Sequence, residues 1–139
     1  MQLLVFTDGG ARGNPGPGAI GVVVKDDKGY KIKEIGKRIG ETTNNVAEYT
    51  AVREALKWIK SNFPIFQFSN ETKKNFFLDS NLVVNQLNGL FKVKEAKLRE
   101  LLVKIRELEQ EVGGNVSYTF IPREKNWEAD RLVNRALDS

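Results

Sequence analysis

Apolar residues in this chain cluster into short runs whose spacing changes along the sequence. Leu3, Leu4, Val5 and Phe6 form an unbroken run within Gln2 to Asp8, the pattern of a strand buried on both faces. The glycine- and proline-rich stretch from Gly9 to Gly18 interrupts it and reads as a turn. Ala19 to Lys25, carrying Ile20, Val22, Val23 and Val24, is a second strand, and Asp26-Asp27-Lys28-Gly29 a hairpin turn. Tyr30 to Gly40 sets Ile32, Ile35 and Ile39 among charges, as a partly exposed third strand does. Three strands joined by short turns make an antiparallel meander.

The period then lengthens. Val52, Ala55, Leu56 and Ile59 share one face of a helix from about Val46 to Ser61. Asn45 and Glu48, three residues apart, suit a cap with a reciprocal acidic partner. Residues 62–75 hold Pro64 and many polar groups and read as a loop longer than a compact domain usually needs. Phe76-Phe77-Leu78-Asp79 is a short buried strand, expected to run parallel to a strand of the meander because a helix precedes it. Leu82 to Leu87 is a short helix. Glu95 to Val112 is a longer one, with Leu98, Leu101, Leu102, Ile105 and Leu108 on one face, stopped by Gly113-Gly114. Val116 to Ile121 is the last strand and Trp127 to Leu137 the last helix, with Asn126 as its cap. The order β-β-β-α-β-α-α-β-α implies a mixed sheet covered by helices, an α/β fold in one domain spanning residues 1–139.

Composition narrows the chemistry. The 139 residues contain no cysteine and no histidine. Disulfides, zinc-thiolate sites, thiol nucleophiles and His-based triads are therefore excluded. A catalyst built from this chain relies on carboxylates, hydroxyls, lysine, arginine or a bound metal, and a carboxylate site selects a hard cation such as Mg²⁺ or Mn²⁺. The net charge of +4 permits a polyanionic partner. No apolar run reaches the ~20 residues of a membrane span, and the N-terminus lacks the pattern of a secretory signal. The expectation is a cytoplasmic protein that works as a monomer, away from membranes.

Four carboxylates sit where their surroundings do not call for charge. Asp8 and Asp79 end apolar runs, and an uncompensated carboxylate is costly to bury. If their strands are parallel neighbours, the two lie at one edge of the sheet, about 4.8 Å apart, and repel unless a cation lies between them. Glu48 borders the apolar face of the first long helix, and Asp130 lies in the first turn of the last helix. Singly, each has an ordinary explanation as a turn starter or a dipole partner. Together they form a candidate oxygen-ligand site for divalent ions.

The motifs around these residues are specific in combination. They are Thr7-Asp8-Gly9-Gly10-Ala11-Arg12-Gly13-Asn14-Pro15-Gly16-Pro17-Gly18, Thr42-Thr43-Asn44-Asn45-Val46-Ala47-Glu48, Asp79-Ser80-Asn81-Leu82-Val83-Val84 and Asn126-Trp127-Glu128-Ala129-Asp130. In this order and spacing the chain resembles type 1 ribonuclease H over essentially its whole length. The resemblance implies a five-stranded mixed sheet, three strands antiparallel and the later ones parallel, flanked by helices. It implies an endonuclease that cuts the RNA strand of an RNA–DNA hybrid and leaves 5′-phosphate and 3′-hydroxyl ends. It also implies two Mg²⁺ ions, with Mn²⁺ as a substitute, held by Asp8, Glu48, Asp79 and Asp130, with Asp8 bridging the pair.

The same resemblance implies substrate contacts. It places Asn14, Asn44 and Asn45 near the 2′-hydroxyls of the RNA strand, the groups that separate RNA from DNA. It places Thr43 at a phosphate of the DNA strand, and Asn81 beside the catalytic Asp79. Three departures from the family pattern stand out. Arg123 occupies the loop where many members carry histidine and some carry arginine; arginine cannot act as a base there. Glu41 replaces an arginine of the phosphate pocket, which loosens the preference for a DNA partner strand and raises the prospect of duplex RNA as a second substrate. The basic, Trp-containing handle of some bacterial members is absent; Phe91 to Arg106, with Lys92, Lys94, Lys97, Arg99, Lys104 and Arg106, reads either as a reduced substitute or as a solvated helix face.

Overall fold

The computed structural model describes residues 1–63 and 70–139. Their strands are β1 (Gln2–Ala11), β2 (Gly16–Lys25), β3 (Lys31–Thr42), β4 (Lys73–Leu78) and β5 (Val116–Phe120). The helices are α1 (Asn44–Ser61), α2 (Asn81–Leu87), α3 (Ala96–Glu111) and α4 (Trp127–Asp138), with a single 3₁₀ turn at Arg123–Lys125. The strands form one sheet in the order β3-β2-β1-β4-β5. The β1–β2 and β2–β3 pairs are antiparallel, and β1–β4 and β4–β5 are parallel. This is the mixed α/β sheet that the sequence pattern implies.

Strand alternation sorts the core into two layers. Leu3 and Val5 of β1 and Val22 and Val24 of β2 join Val52, Leu56 and Ile59 of α1 and Leu98, Leu101 and Ile105 of α3 in the larger cluster. On the opposite face α4 packs alone, with Val133 and Leu137 against Ala19 of β2. The edge strand β3 is mostly exposed. Its charged side chains discourage pairing with another sheet.

The structure differs from the sequence expectation at four places. Gly9–Gly18 is not one turn: the β1–β2 ladder continues through Gly9↔Ile20 to Ala11↔Gly18. Glycine was read as a breaker, but here it lets strands and helices approach. Only residues 12–15 lie outside the two strands, with Gly13 at φ 99° and a cis Asn14–Pro15 bond. Second, α1 starts at Asn44 and its cap is Thr43, whose Oγ1 accepts from the Val46 amide at 3.3 Å. Asn45 is not the cap, and Glu48 is no capping partner but is buried. Third, Asn126 occupies the cap position of α4 without making a capping bond. The loop expected at 62–75 gives way to β4 at Lys73, and residues 64–69 of it lie outside the described residues.

Candidate metal centre

β1 and β4 run parallel with Phe6 opposite Phe77. The same offset carried two residues further brings Asp8, within β1, beside Asp79, just past the end of β4. Two glycines let helices reach this point from either face. A Cβ on Gly9 would stand 2.3 Å from the Ala47 carbonyl carbon and oxygen, so α1 lies against β1 with Glu48 next in sequence to the contact. Gly21 faces Asp8 in the β1–β2 register. A Cβ there would stand 2.1 Å from the Ala129 carbonyl oxygen. That close approach brings the first turn of α4, and Asp130 with it, down onto the sheet.

Carboxylate oxygens of Asp8, Glu48 and Asp79 lie within 4.8 Å of one another. Asp8 is 6% and Glu48 7% exposed. Burial, then the charge of Asp79, raises the Asp8 carboxyl to about 7, with Asp130 adding to the rise and a hydrogen bond with Glu48 opposing it. Burial raises Glu48 well above the carboxylate range, followed by the charges of Asp8 and Asp79; the Gly9 amide works against this. Asp79 is also raised, first by burial. The Asn126 amide and the Arg123 charge pull it back, and Asp130 pushes it up. Asp130 stands outside the three-residue cluster but lines the same cleft of about 460 Å³.

These groups fit a divalent cation. The Glu48 Oε2 atom is buried with no hydrogen-bond partner, a position that costs free energy until something positive occupies it. The donor set is all oxygen and nearly all anionic, which suits Mg²⁺ or Mn²⁺. One bound cation would convert the mutual repulsion of the carboxylates into attraction.

The structure distributes the remaining sequence-derived residues unevenly. Asn44, Asn45 and Arg123 line the cleft with the carboxylates. Asn44 Oδ1 accepts from the Ala11 amide at 2.9 Å, and Asn14 Oδ1 accepts from the Asn44 amide at 2.9 Å. Both side-chain carbonyls thus tie the β1–β2 turn to the start of α1, and among the described residues neither amide NH₂ is bonded to the protein. Thr43 lies outside the cleft, in a neighbouring groove between β3, α1 and the start of α3 that Glu41 and Lys97 also line. Asn81 is exposed at the start of α2 and does not line the cleft, whereas Ser80 does. Arg106, counted among the handle cations, is engaged internally: it donates to the Leu87 carbonyl at 2.6 Å and pairs with Glu109 at 2.9 Å.

Asn126 stands at the cap position that the sequence predicts, but its side chain serves the carboxylates instead. It is 1% exposed. Its Nδ2 donates to the Thr7 carbonyl at 2.9 Å and to Asp79 Oδ2 at 3.3 Å, so it orients one carboxylate of the cluster. Cap preference is a local signal and could not reveal a bond across the sheet. The role of Gly21 was more accessible, because an isolated glycine within a valine-rich strand signals close approach by another backbone.

Comparison with known proteins agrees with this architecture. A family model described as reverse transcriptase-like matches residues 6–136. A ribonuclease H of Ruthia magnifica subsp. Calyptogena magnifica is 36% identical over 151 residues, covering 99% of this chain and 96% of its own length. A bifunctional protein of Mycobacterium tuberculosis is 36% identical over 144 residues and covers the whole chain, which spans only 36% of that relative's length. Among solved structures, a ribonuclease H1 isolated from compost by a metagenomic approach superposes with a TM-score of 0.91 at 45% identity, covering 99% of this chain and 96% of that one. The same compost enzyme has been solved in complex with an RNA/DNA hybrid and superposes with a TM-score of 0.90.

Proposed function

Because this chain belongs to the ribonuclease H family, we propose that it is an endonuclease hydrolysing the RNA strand of RNA–DNA hybrids. The convergence of the Asp8, Glu48 and Asp79 carboxylates within 4.8 Å, beside the end of β4, carries this reading.

Asp8, Glu48, Asp79 and Asp130 would hold Mg²⁺, or Mn²⁺ in its place, as a pair of ions. When bound, such ions acidify the attacking water and offset charge on the leaving 3′-oxygen. Asp8, flanked by the other carboxylates, would contribute its oxygens to that site. Asn126 keeps Asp79 turned toward the cluster through the 3.3 Å bond. Arg123 lines the same cleft and lowers Asp79 through its charge. It offsets the negative charge of the cut phosphate as the product leaves and moves no proton.

Asn44 and Asn45 offer amide groups beside the carboxylates, and these read the RNA 2′-hydroxyls. Asn14 acts mainly by fixing the Asn44 backbone, through the 2.9 Å bond. Thr43, in the separate groove, takes a phosphate of the DNA strand, and exposed Asn81 makes an outer contact. Glu41 lines that groove too. A carboxylate there weakens phosphate binding on the partner strand, which supports slower cleavage of duplex RNA as a second activity. A hybrid substrate supports a cytoplasmic activity. No helix among the described residues is long and apolar enough to cross a membrane.

The direct test incubates the protein with an end-labelled hybrid in Mg²⁺, in Mn²⁺ and with a chelator. Internal RNA cuts that vanish with chelator are expected; an uncut hybrid in both metals, from folded protein, would reject the assignment.

A further inference from the structure

The outer face of α4 plays no part in the mechanism above, yet it continues the catalytic cleft. An open groove of about 740 Å³ runs along it from Trp127 past Arg131 to Arg135. Asp130 and Asn134 line both this groove and the catalytic cleft, so the two share a wall. Trp127, at the head of the groove, is 56% exposed. An indole left in water beside a charged cleft gains nothing for folding.

The charges of this face are arranged for a polyanion. Two acids on and beside it are already neutralised: Asp138 pairs with Arg12 at 2.7 Å, and Glu128 with Lys25 at 2.6 Å and Lys31 at 3.1 Å; the remaining acid is Asp130, shared with the catalytic cleft. The cations of this face are not neutralised. Arg131 and Arg135 are exposed, and among the described residues neither forms an ion pair. Trp127, Arg131 and Arg135 recur at i, i+4 and i+8, along about 12 Å of helix. The face therefore presents one stacking surface and two free guanidinium groups in a line that leads from Asp130.

We infer that the outer face of α4 is a second nucleic-acid subsite, which takes an unpaired RNA strand running out of the hybrid past Asp130. This rests on the hybrid-nuclease reading. The strand is RNA because the strand lying at Asp130 is the one being cut. It is unpaired because an open indole stacks on a base whose face is free, and base faces inside a duplex are covered. The guanidinium groups take the phosphates that follow.

The test measures binding in the Asp79→Asn background, so that no probe is consumed. The probes are one hybrid with blunt ends, with an unpaired RNA extension at each end in turn, and with an unpaired DNA extension. An RNA extension at one end is expected to tighten binding about tenfold over the blunt hybrid, the scale of one base–aromatic stack. Trp127→Ala and the double change Arg131→Gln with Arg135→Gln each remove the gain, Trp127→Phe retains most of it, and none alters blunt-hybrid binding. No gain from either RNA extension, a gain that survives these changes, or an equal gain from DNA would overturn the subsite. Cleavage of the blunt hybrid by the unaltered protein separates the two readings. Cutting without an extension effect rejects the subsite alone, and no cutting rejects both.

Discussion

Asn126 and Asp79 lie 47 residues apart and are joined by a 3.3 Å hydrogen bond, while the same Asn126 Nδ2 donates to the Thr7 carbonyl of β1 at 2.9 Å. One buried amide thus fixes one carboxylate of the cluster and fastens the start of α4 to the central strand. Replacing Asn126 by Ala frees Asp79 to rotate and leaves the Thr7 carbonyl unpaired. The cation concentration for half-maximal cleavage should rise about 10–100-fold, as for other residues that orient metal ligands. Stability should fall by about 1–3 kcal/mol. A cation titration of the cleavage rate, alongside thermal denaturation, checks both. An unchanged titration would remove Asn126 from the positioning role.

Gly21 sits under α4 with no room for a side chain. A Cβ there would stand 2.1 Å from the Ala129 oxygen, so Gly21→Ala must lift the helix or bend β2. The expected cost is about 1–3 kcal/mol, with a loss of cleavage larger than the stability loss explains, because Asp130 moves with the helix. Stability from denaturant unfolding and the cleavage rate of the folded fraction give the two values.

Protonation of the cluster sets a pH dependence with a definite sign. In the folded, cation-free protein Asp8 is raised to about 7, and Glu48 and Asp79 are raised too. The folded state therefore binds more protons than the unfolded one between about pH 4 and 7. Its stability from these groups is present at the acid end and lost as pH rises through the folded values. The melting temperature in chelator should fall between about pH 5 and 8. Added Mg²⁺ should raise it more at pH 8 than at pH 5, since the cation competes with those protons. A melting temperature in chelator that climbs across this range would contradict the assignment of the strain to these carboxylates.

Removing one charge should relieve the same strain. Asp79→Asn keeps a hydrogen-bonding oxygen for Asn126 but takes away a negative charge beside Asp8. In chelator the variant should melt about 2–5 °C higher than the unaltered protein, and Mg²⁺ should stabilise it less. Calorimetry with and without the cation measures both shifts.

Much of this architecture is legible in the sequence. The Leu3–Phe6 run, the hairpin at residues 26–29 and the leucine face of α3 each follow from local spacing, and their pairing into a mixed sheet follows from their order. Asp8 and Asp79 are visible because acids at the ends of apolar runs conflict with burial. What escapes is what depends on assembled layers. Gly9 to Gly18 reads as a turn until helices pack on both faces of the strand. Glu48 stands out in the sequence because it borders the apolar face of α1, but the depth of its burial shows only once α1 packs on the sheet. Asn126 reads as a cap until β1 and β4 bring Thr7 and Asp79 to it.

The decisive measurement is hybrid cleavage by the unaltered protein and by Asp79→Asn in parallel, with each strand labelled in turn and Mg²⁺ in excess. The proposed site requires internal cuts in the RNA strand alone, ending in 3′-hydroxyl groups, and loss of that cleavage by at least about a thousandfold in a variant that remains folded and still binds the hybrid. Cutting by Asp79→Asn at a comparable rate, or equal cutting of the DNA strand, would contradict it.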